Sequence, residues 1–380
     1  MDTILFGNME KKPDIKRIAI VLNSAWQAYN FRLNLATYLS TIGYEVIFIS
    51  PEDNHYSELI KDQFKFVSIN LKADSVNPID DLRLVFSLYK IFNKIKPDIV
   101  LNFTIKPNIY SSIVSRLIGI PSINNITGLG TVFIKQSLIT KLIKNLYRFS
   151  LACSSKVFFQ NYDDLNLFLN EKIVSSSKCE ILPGSGVDTN KFFPTKSNYD
   201  KTFKFLMIAR IIRDKGVYEY IEAARMLNNE NLEFWLLGQS DTLNKTSLSI
   251  DEIIKFTNKG LIKYFKKTDD VKSFLDQVDC VVLPSYREGC PRSILEASAS
   301  GLPVIVSDVP GCRQVVDDNI TGLYCKVRDK DDLKDKMIKM IQMTNNERKL
   351  MGQKGRAKMI NDFDELIVIK RYSKLISDLL

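Results

Sequence analysis

Twice along this chain, short apolar runs alternate with segments whose apolar residues recur at helical spacing, and this alternation limits the fold more than any other feature. The first series opens with "KRIAIVLN" (residues 16–23), a run of strand length. It is followed by "NFRLNLATYLSTIG" (30–43), which keeps a helical period up to Gly43. "YEVIFIS", "FKFVSINL", "PDIVLNF", "IPSINNI" and "SKVFFQN" continue the strand-like runs, with "DDLRLVFSLYKIFNKIK" and "PNIYSSIVSRLIG" as helices among them. The pattern breaks in a Pro/Gly-rich stretch near residues 182–202, where a linker is expected, and then restarts. "FKFLMIAR", "VYEYIEAARMLN", "NLEFWLLG", "LIKYFK", "DVKSFLDQV", "DCVVLP", "RSILEASASG" and "LPVIVSD" form the second series. Such alternation predicts parallel sheets covered by helices on both faces. A length of 380 residues exceeds what one core serves. The expectation is an α/β chain of two doubly wound domains with a cleft between them.

Several function classes drop out. No apolar stretch approaches the ~20 residues of a membrane-spanning helix, and no charged, apolar, small-residue leader opens the sequence, which points to the cytoplasm. The six cysteines, at 153, 179, 280, 290, 312 and 325, form no Cys-x-x-Cys pair. With a single histidine, His55 in the polar "PEDNHYSE", they argue against a Cys/His zinc site and for reduced thiols. No Gly-x-Gly-x-x-Gly or Walker sequence is present, which removes dehydrogenase and P-loop readings. The net charge of +9 is uneven: residues 83–156 hold eleven Lys/Arg against one acid, Asp98.

"SYREGCPRSILEASASGLPVIVSD" (285–308) places Glu288 in a loop and Glu296 on the helix that follows, with Pro291 suited to the helix start and Gly301 to its stop. In an open parallel sheet, ligands bind beyond the carboxyl ends of the strands, where helix N-termini present N–H groups. A carboxylate there matches the cis hydroxyls of a ribose or a sugar ring. On spacing alone, a solvated loop acid and a helix-surface acid are equally good readings. "FLMIARIIRDKG" adds Arg210 and Lys215 at the same predicted sheet edge, where a diphosphate would be neutralised.

"ARIIRDKG", "SYREGCPRSILEASASGLPVIVSD" and "GSGVDTNKF" resemble the signature segments of retaining family-4 glycosyltransferases of the GT-B fold, Glu-x7-Glu motif included. The amino half, with "NFTIKPN", "NNITGLGTVFI" and "YNFRL", is similar to bacterial enzymes that extend undecaprenyl-diphosphate-linked sugars. The likeness is strongest to the N-acetylgalactosaminyltransferases acting on lipid-linked diacetylbacillosamine. This resemblance implies two Rossmann-like domains, 1–195 binding the acceptor and 196–362 binding a nucleotide sugar. Residues 363–380 would be a terminal helix returning to the first domain. It implies that Arg210 and Lys215 neutralise the donor diphosphate, that Glu288 holds sugar hydroxyls beside Gly289, Cys290 and Pro291, and that Glu296 holds the ribose. Ile294 and Leu295 would line the donor site, and Gly128 and Gly130 of "TGLG" would close over it. Many relatives carry a histidine where "NFTIKPN" has none; Thr104 or Lys106 would take its place. Lys266 stands where a glycine is common near the base pocket.

The resemblance further implies front-face displacement, in which the leaving diphosphate takes the acceptor's proton, so that catalysis is positioning and charge stabilisation. No metal or cofactor is expected, since the one Asp-x-Asp, Asp362 and Asp364, lies outside a strand context. The partners implied are a UDP-sugar and a lipid-diphosphate-linked saccharide. The alternatives are a nucleotide-sugar epimerase of the same fold, or a different donor and acceptor pair such as another hexose in polysaccharide synthesis. The basic segment also raises a nucleic-acid binder, which no recognition motif or stacking series supports. Within that segment, "IKQSLITKLIKNLYRF" sets Ile134, Leu138, Leu142, Leu146 and Phe149 along one helical stripe, with Lys135, Lys141, Lys144 and Arg148 beside it. The stripe either enters the core or meets an anionic membrane surface at the inner face of the cytoplasmic membrane.

Overall fold

The computed structural model describes residues 15–73, 75, 77–129, 138–195, 202–227, 229–240 and 246–380. Two compact units result, one ending at Ile123 and taking in Leu379–Leu380, the other running from Asn124 to Asp378.

The expected apolar runs are strands. In chain order they are β1 Arg17–Val21, β2 Glu45–Ser50, β3 Lys65–Ser68, β4 Ile99–Phe103, β5 Ser122–Ile126, β6 Lys156–Phe159 and β7 Cys179–Ile181. These seven form one sheet in the order β3-β2-β1-β4-β5-β6-β7. The second sheet holds β8 Phe203–Ile208, β9 Leu232–Gly238, β10 Lys263–Lys266, β11 Cys280–Leu283, β12 Val304–Ser307 and β13 Gly322–Cys325, in the order β10-β9-β8-β11-β12-β13. Every described pairing between these strands is parallel. Two short strands that the alternation does not announce, β7 and β13, end the two sheets.

In each sheet the chain winds outward to one side and then returns to the other side of its first strand. The switch points fall between β1 and β4 and between β8 and β11. At such a point the loops diverge and leave a crevice at the carboxyl ends of the strands. In the smaller unit, Ala19, Val21, Ile49 and Val100 pack under Leu84, Leu88 and Phe92 of the helix Pro78–Ile95. In the larger unit the core gathers Leu206, Met207, Val281, Val282, Ile305 and Val306 from the sheet with Ile294 and Leu295 from the helix Arg292–Ala299. Each core is continuous apolar strand, as parallel sheets covered on both faces require.

Local signals set the element ends. Ser24 accepts from the Gln27 N–H at the start of Ala25–Thr41, and Gly43, at φ 102, follows its end. Pro291 occupies the position just before Arg292–Ala299, with no side-chain capping bond, and Gly301 at φ 75 follows its last turn. Asp362 closes the helix Asn345–Asp362, while Asp364 accepts from Thr189 Oγ1 at 2.5 Å and from the Leu366 N–H at 2.9 Å, which makes it a capping group. The terminal helix Glu365–Leu379 lies against the first sheet's later strands. Tyr372 accepts from Asn125 Nδ2 at 2.8 Å and meets Phe158 edge-on at 4.9 Å. His55 is exposed, and all six cysteines are free thiols.

Candidate active site

The loops leaving β8 and β11 are joined along their backbones. Arg213–Lys215 forms a single tight turn that ends at Gly216, whose φ is 76. A Cβ at Gly216 would lie 2.1 Å from the Pro284 carbonyl oxygen, so only glycine permits this approach. Next to it the Tyr286 N–H donates to the Asp214 carbonyl at 2.9 Å. The result is that Lys215 Nζ lies 2.5 Å from Glu288 Oε1, and Ser285 Oγ donates to the same oxygen at 2.6 Å. The two charged side chains retain 22% and 9% of their exposure. Glu288 Oε2 takes no hydrogen bond among the described residues, and an ammonium with one partner on Glu288 has two further protons to give. A carboxylate edge and a cation therefore face the crevice side by side. The sequence places both groups here but does not foresee that they pair.

The chain around Glu288 is packed backbone to backbone. A Cβ at Gly289 would stand 2.4 Å from the Thr127 carbonyl oxygen, and one at Gly128, φ +133, 3.4 Å from Gly289 Cα. Gly311, φ +63, would meet the carbonyls of Gly289 and Glu288 at 2.5 and 2.8 Å, and Gly184 would meet Cys290 Sγ at 2.6 Å. Thus the "TGLG" loop lies on the Glu288 loop at Gly128; Gly130 lies outside the described residues. Burial, with Glu288 beside it, pushes the Cys290 thiol up to about 12, so it is neutral at pH 7 and no nucleophile. Glu296 is buried rather than a surface acid, and Arg292 Nε holds its Oε1 at 2.8 Å. Arg210, beyond β8, is exposed. Two expected donor-site residues are placed otherwise. Ile294 and Leu295 have no exposure, and their N–H groups donate to the Pro291 carbonyl, so they support the loop by packing and offer no group to a ligand.

A buried ion pair that the sequence does not announce anchors the same loop. Asp164, 1% exposed, accepts from Arg287, the residue before Glu288. Asn161 holds both ends: its Nδ2 donates to Asp164 Oδ2 at 3.1 Å and to the Gly289 carbonyl at 2.9 Å, while its Oδ1 caps the helix Tyr162–Asn170 through the Asp164 N–H. Burial pushes the Asp164 carboxyl up, and Arg287 pulls it partly back. "QNYDDL" carries a capping signal, but nothing in it marks a partner 123 residues away.

In the smaller unit, Thr104 follows β4 at φ 70, a conformation a β-branched residue adopts only under constraint, and a wide π-helical turn, Pro107–Ser111, comes next. Its buried Oγ1 has no hydrogen-bond partner among the described residues. Strain of this kind concentrates at functional sites. Lys106 is held instead by Asp81, Nζ to Oδ1 at 2.7 Å with 11% and 18% exposure. Of the two substitutes for the missing histidine, Lys106 is engaged by Asp81, while the Thr104 hydroxyl is buried with no partner among the described residues.

The basic helix Leu138–Cys153 turns a different side inward than its sequence stripe suggests. Thr140, Tyr147, Ser150 and Leu151 are buried, whereas Leu142 and Phe149 are 59% and 61% exposed. Lys144 pairs with Glu171 at 2.6 Å, and Arg148 donates to the carbonyls of Glu171 and Lys172. Those two cations close the end of the helix Tyr162–Asn170; Lys141 is exposed. Ile134 and Lys135 lie outside the described residues.

Comparison with known proteins fits this geometry. The model of glycosyl transferases group 1 matches residues 188–358, and a glycosyl transferase 4-like model matches residues 17–161. The chain is 29% identical over 376 residues to the N,N'-diacetylbacillosaminyl-diphospho-undecaprenol alpha-1,3-N-acetylgalactosaminyltransferase of Campylobacter jejuni, covering 94% of this chain and 98% of that one. It is 25% identical to the UDP-Gal:alpha-D-GlcNAc-diphosphoundecaprenol alpha-1,3-galactosyltransferase of Escherichia coli, over 87% of this chain and 88% of that one. Among solved structures, the fold matches sucrose-phosphate synthase of Thermosynechococcus elongatus with a TM-score of 0.80, 15% identity and coverage of 96% and 99%. It also matches Anabaena HepE in complex with UDP and glucose at 0.78, with 14% identity and coverage of 95% and 99%.

Proposed function

Because the chain belongs to the group 1 glycosyltransferases, with the GT-B architecture of two doubly wound sheets, we propose that it moves a sugar, an N-acetylhexosamine, from a UDP-sugar to a lipid-diphosphate-linked saccharide. The donor would lie at the carboxyl ends of β8 and β11, with residues 196–362 as its binding half and 1–195 as the acceptor half. The observation that carries this reading is the Lys215–Glu288 pair with Ser285, a cation and a half-free carboxylate side by side at the switch point. Lys215, with Arg210, meets the diphosphate; Glu288 Oε2 takes a sugar hydroxyl, and Glu296 the ribose. The relatives' own substrates favour this class: both bacterial transferases are named for a diphosphoundecaprenol-linked acceptor.

The transfer proceeds with retention. The acceptor oxygen bonds to the anomeric carbon on the face from which the diphosphate departs, the carbon–oxygen bond to phosphate breaks, and the acceptor proton passes to the leaving phosphate. The neutral Cys290 offers no nucleophile, and Glu288 is engaged by Lys215 and Ser285. Lys215 and Arg210 supply the charge that stabilises the leaving group, each worth ~10²–10³ in rate. No divalent ion is required. The enzyme works at the cytoplasmic membrane face, where such an acceptor resides; among the described residues no helix is long and apolar enough to cross a membrane.

The test is incubation with a panel of UDP-sugars and short lipid-diphosphate saccharides, with products weighed by mass spectrometry and their anomeric configuration read by NMR. A product heavier by one N-acetylhexosamine, with the donor's configuration kept, is the expected result. Conversion of the UDP-sugar to its epimer, with no acceptor consumed, would overturn it.

A further inference from the structure

The helix Pro78–Ile95 is apolar on two opposite sides. Leu84, Leu88 and Phe92 face the core and are buried. Away from it, Ile79, Leu82, Phe86 and Tyr89 are 58%, 60%, 66% and 47% exposed. Their spacing of three, four and three places them in one row along the helix. Single exposed apolar residues need no explanation, but a continuous row with two aromatic rings marks a surface that meets something. Charge says what. Arg83, Lys90 and Lys94 run along one margin of the row, and no acid occurs from Leu82 to Ile95. The two acids of this helix are turned to other partners: Asp80 accepts from Ser75 at 3.1 Å, and Asp81 accepts from Lys106 and Tyr110, both at 2.7 Å. Arg83 reaches Asp80 only at 3.7 Å and keeps 77% of its exposure.

We propose that this helix lies in the plane of an anionic phospholipid surface, with Leu82, Phe86 and Tyr89 entering the boundary between headgroups and acyl chains and Arg83, Lys90 and Lys94 meeting lipid phosphates. A row of apolar and aromatic residues beside a row of cations is the composition of an interfacial helix. Two copies of this face would set like charges against each other, because no acid accompanies its cations from Leu82 to Ile95. The assignment rests on the reading of a lipid-linked acceptor and names the surface that brings the enzyme to it.

The experiment is flotation of the full chain with vesicles of phosphatidylcholine containing or lacking phosphatidylglycerol. The parent is compared with L82E/F86E and with R83E/K90E/K94E, each checked for an unchanged circular-dichroism melt. The parent should float with the anionic vesicles and be released by salt. Both variants should partition at least ~10-fold less, while transfer to a short, water-soluble acceptor stays within two-fold of the parent. If the parent floats and both variants float equally, this helix is not the contact, although the acceptor reading stands. If the parent transfers to no lipid-diphosphate saccharide, the acceptor reading fails, and flotation still decides the surface. Loss of a dimer in sedimentation velocity by L82E/F86E, with flotation unchanged, would assign the row to a second copy and overturn the proposal.

Discussion

Replacing Arg287 by methionine tests how the Glu288 loop is held. The substitution keeps most of the side chain's apolar length and removes the guanidinium from Asp164, which is 1% exposed. Removing one partner of a buried ion pair costs ~3–5 kcal/mol, because the remaining charge is left in a poorly solvating site. Two features place this case at the low end. Asn161 Nδ2 stays on Asp164 Oδ2, and the arginine side chain was itself 22% exposed. About 3 kcal/mol at neutral pH is therefore expected. The pH dependence follows from the carboxyl. Burial already raises its pKa in the parent, and without Arg287 it rises further. A folded-state pKa above the unfolded value contributes stability that is complete below ~4, the ordinary aspartate value, and is lost as pH climbs through the raised one. The deficit of R287M should then be largest at pH 7–8 and shrink toward pH 5. Urea unfolding at several pH values measures it, and D164N/R287M, which removes the charge as well, should recover most of the loss. Transfer should slow by ~10-fold or more, since Glu288 is the next residue and small displacements of a positioned group are costly. A deficit below ~1 kcal/mol with no added pH slope would refute the buried pair as the anchor.

Glu288→Ala should abolish transfer while UDP affinity, measured by calorimetry, stays within a few-fold; Glu296→Ala should weaken UDP itself, and equal affinities would remove the division between sugar and ribose. Lys215→Ala should lose ~10²-fold or more in turnover, and the parent should remain active in EDTA; activity lost to chelator and restored by magnesium or manganese would show that a metal carries the diphosphate. Gly289→Ala should unseat the loop, because its Cβ would stand 2.4 Å from the Thr127 carbonyl oxygen; turnover at the parent's rate would show that this contact opens during the reaction.

How far the sequence reaches depends on the range of the interaction. Strand runs and the Gly43 and Gly301 stops are local, so they could be read in the chain and recur in the fold. Lys215 and Glu288 were legible as separate residues because each follows an apolar strand, yet their pairing depends on β8 and β11 lying side by side, a choice of strand order that no local pattern encodes. The Arg287–Asp164 pair spans the two series altogether. Ile294 and Leu295 differ for the opposite reason: they lie in the signature segment, but their side chains are taken wholly into the core, whereas the carboxylate of Glu296, one residue later, is buried against Arg292. The amphipathic helices divide along the same line. Helical period finds the stripe at 134–149 but cannot say which side a tertiary fold will cover, and Leu142 and Phe149 turn outward because Thr140, Tyr147 and Leu151 are taken by the core. In Pro78–Ile95 the period is confounded, since apolar residues occupy both sides. Only the buried trio Leu84, Leu88 and Phe92 shows that the row from Ile79 to Tyr89 is surplus to the core, and surplus apolar surface beside exposed cations is what a lipid-facing enzyme would keep.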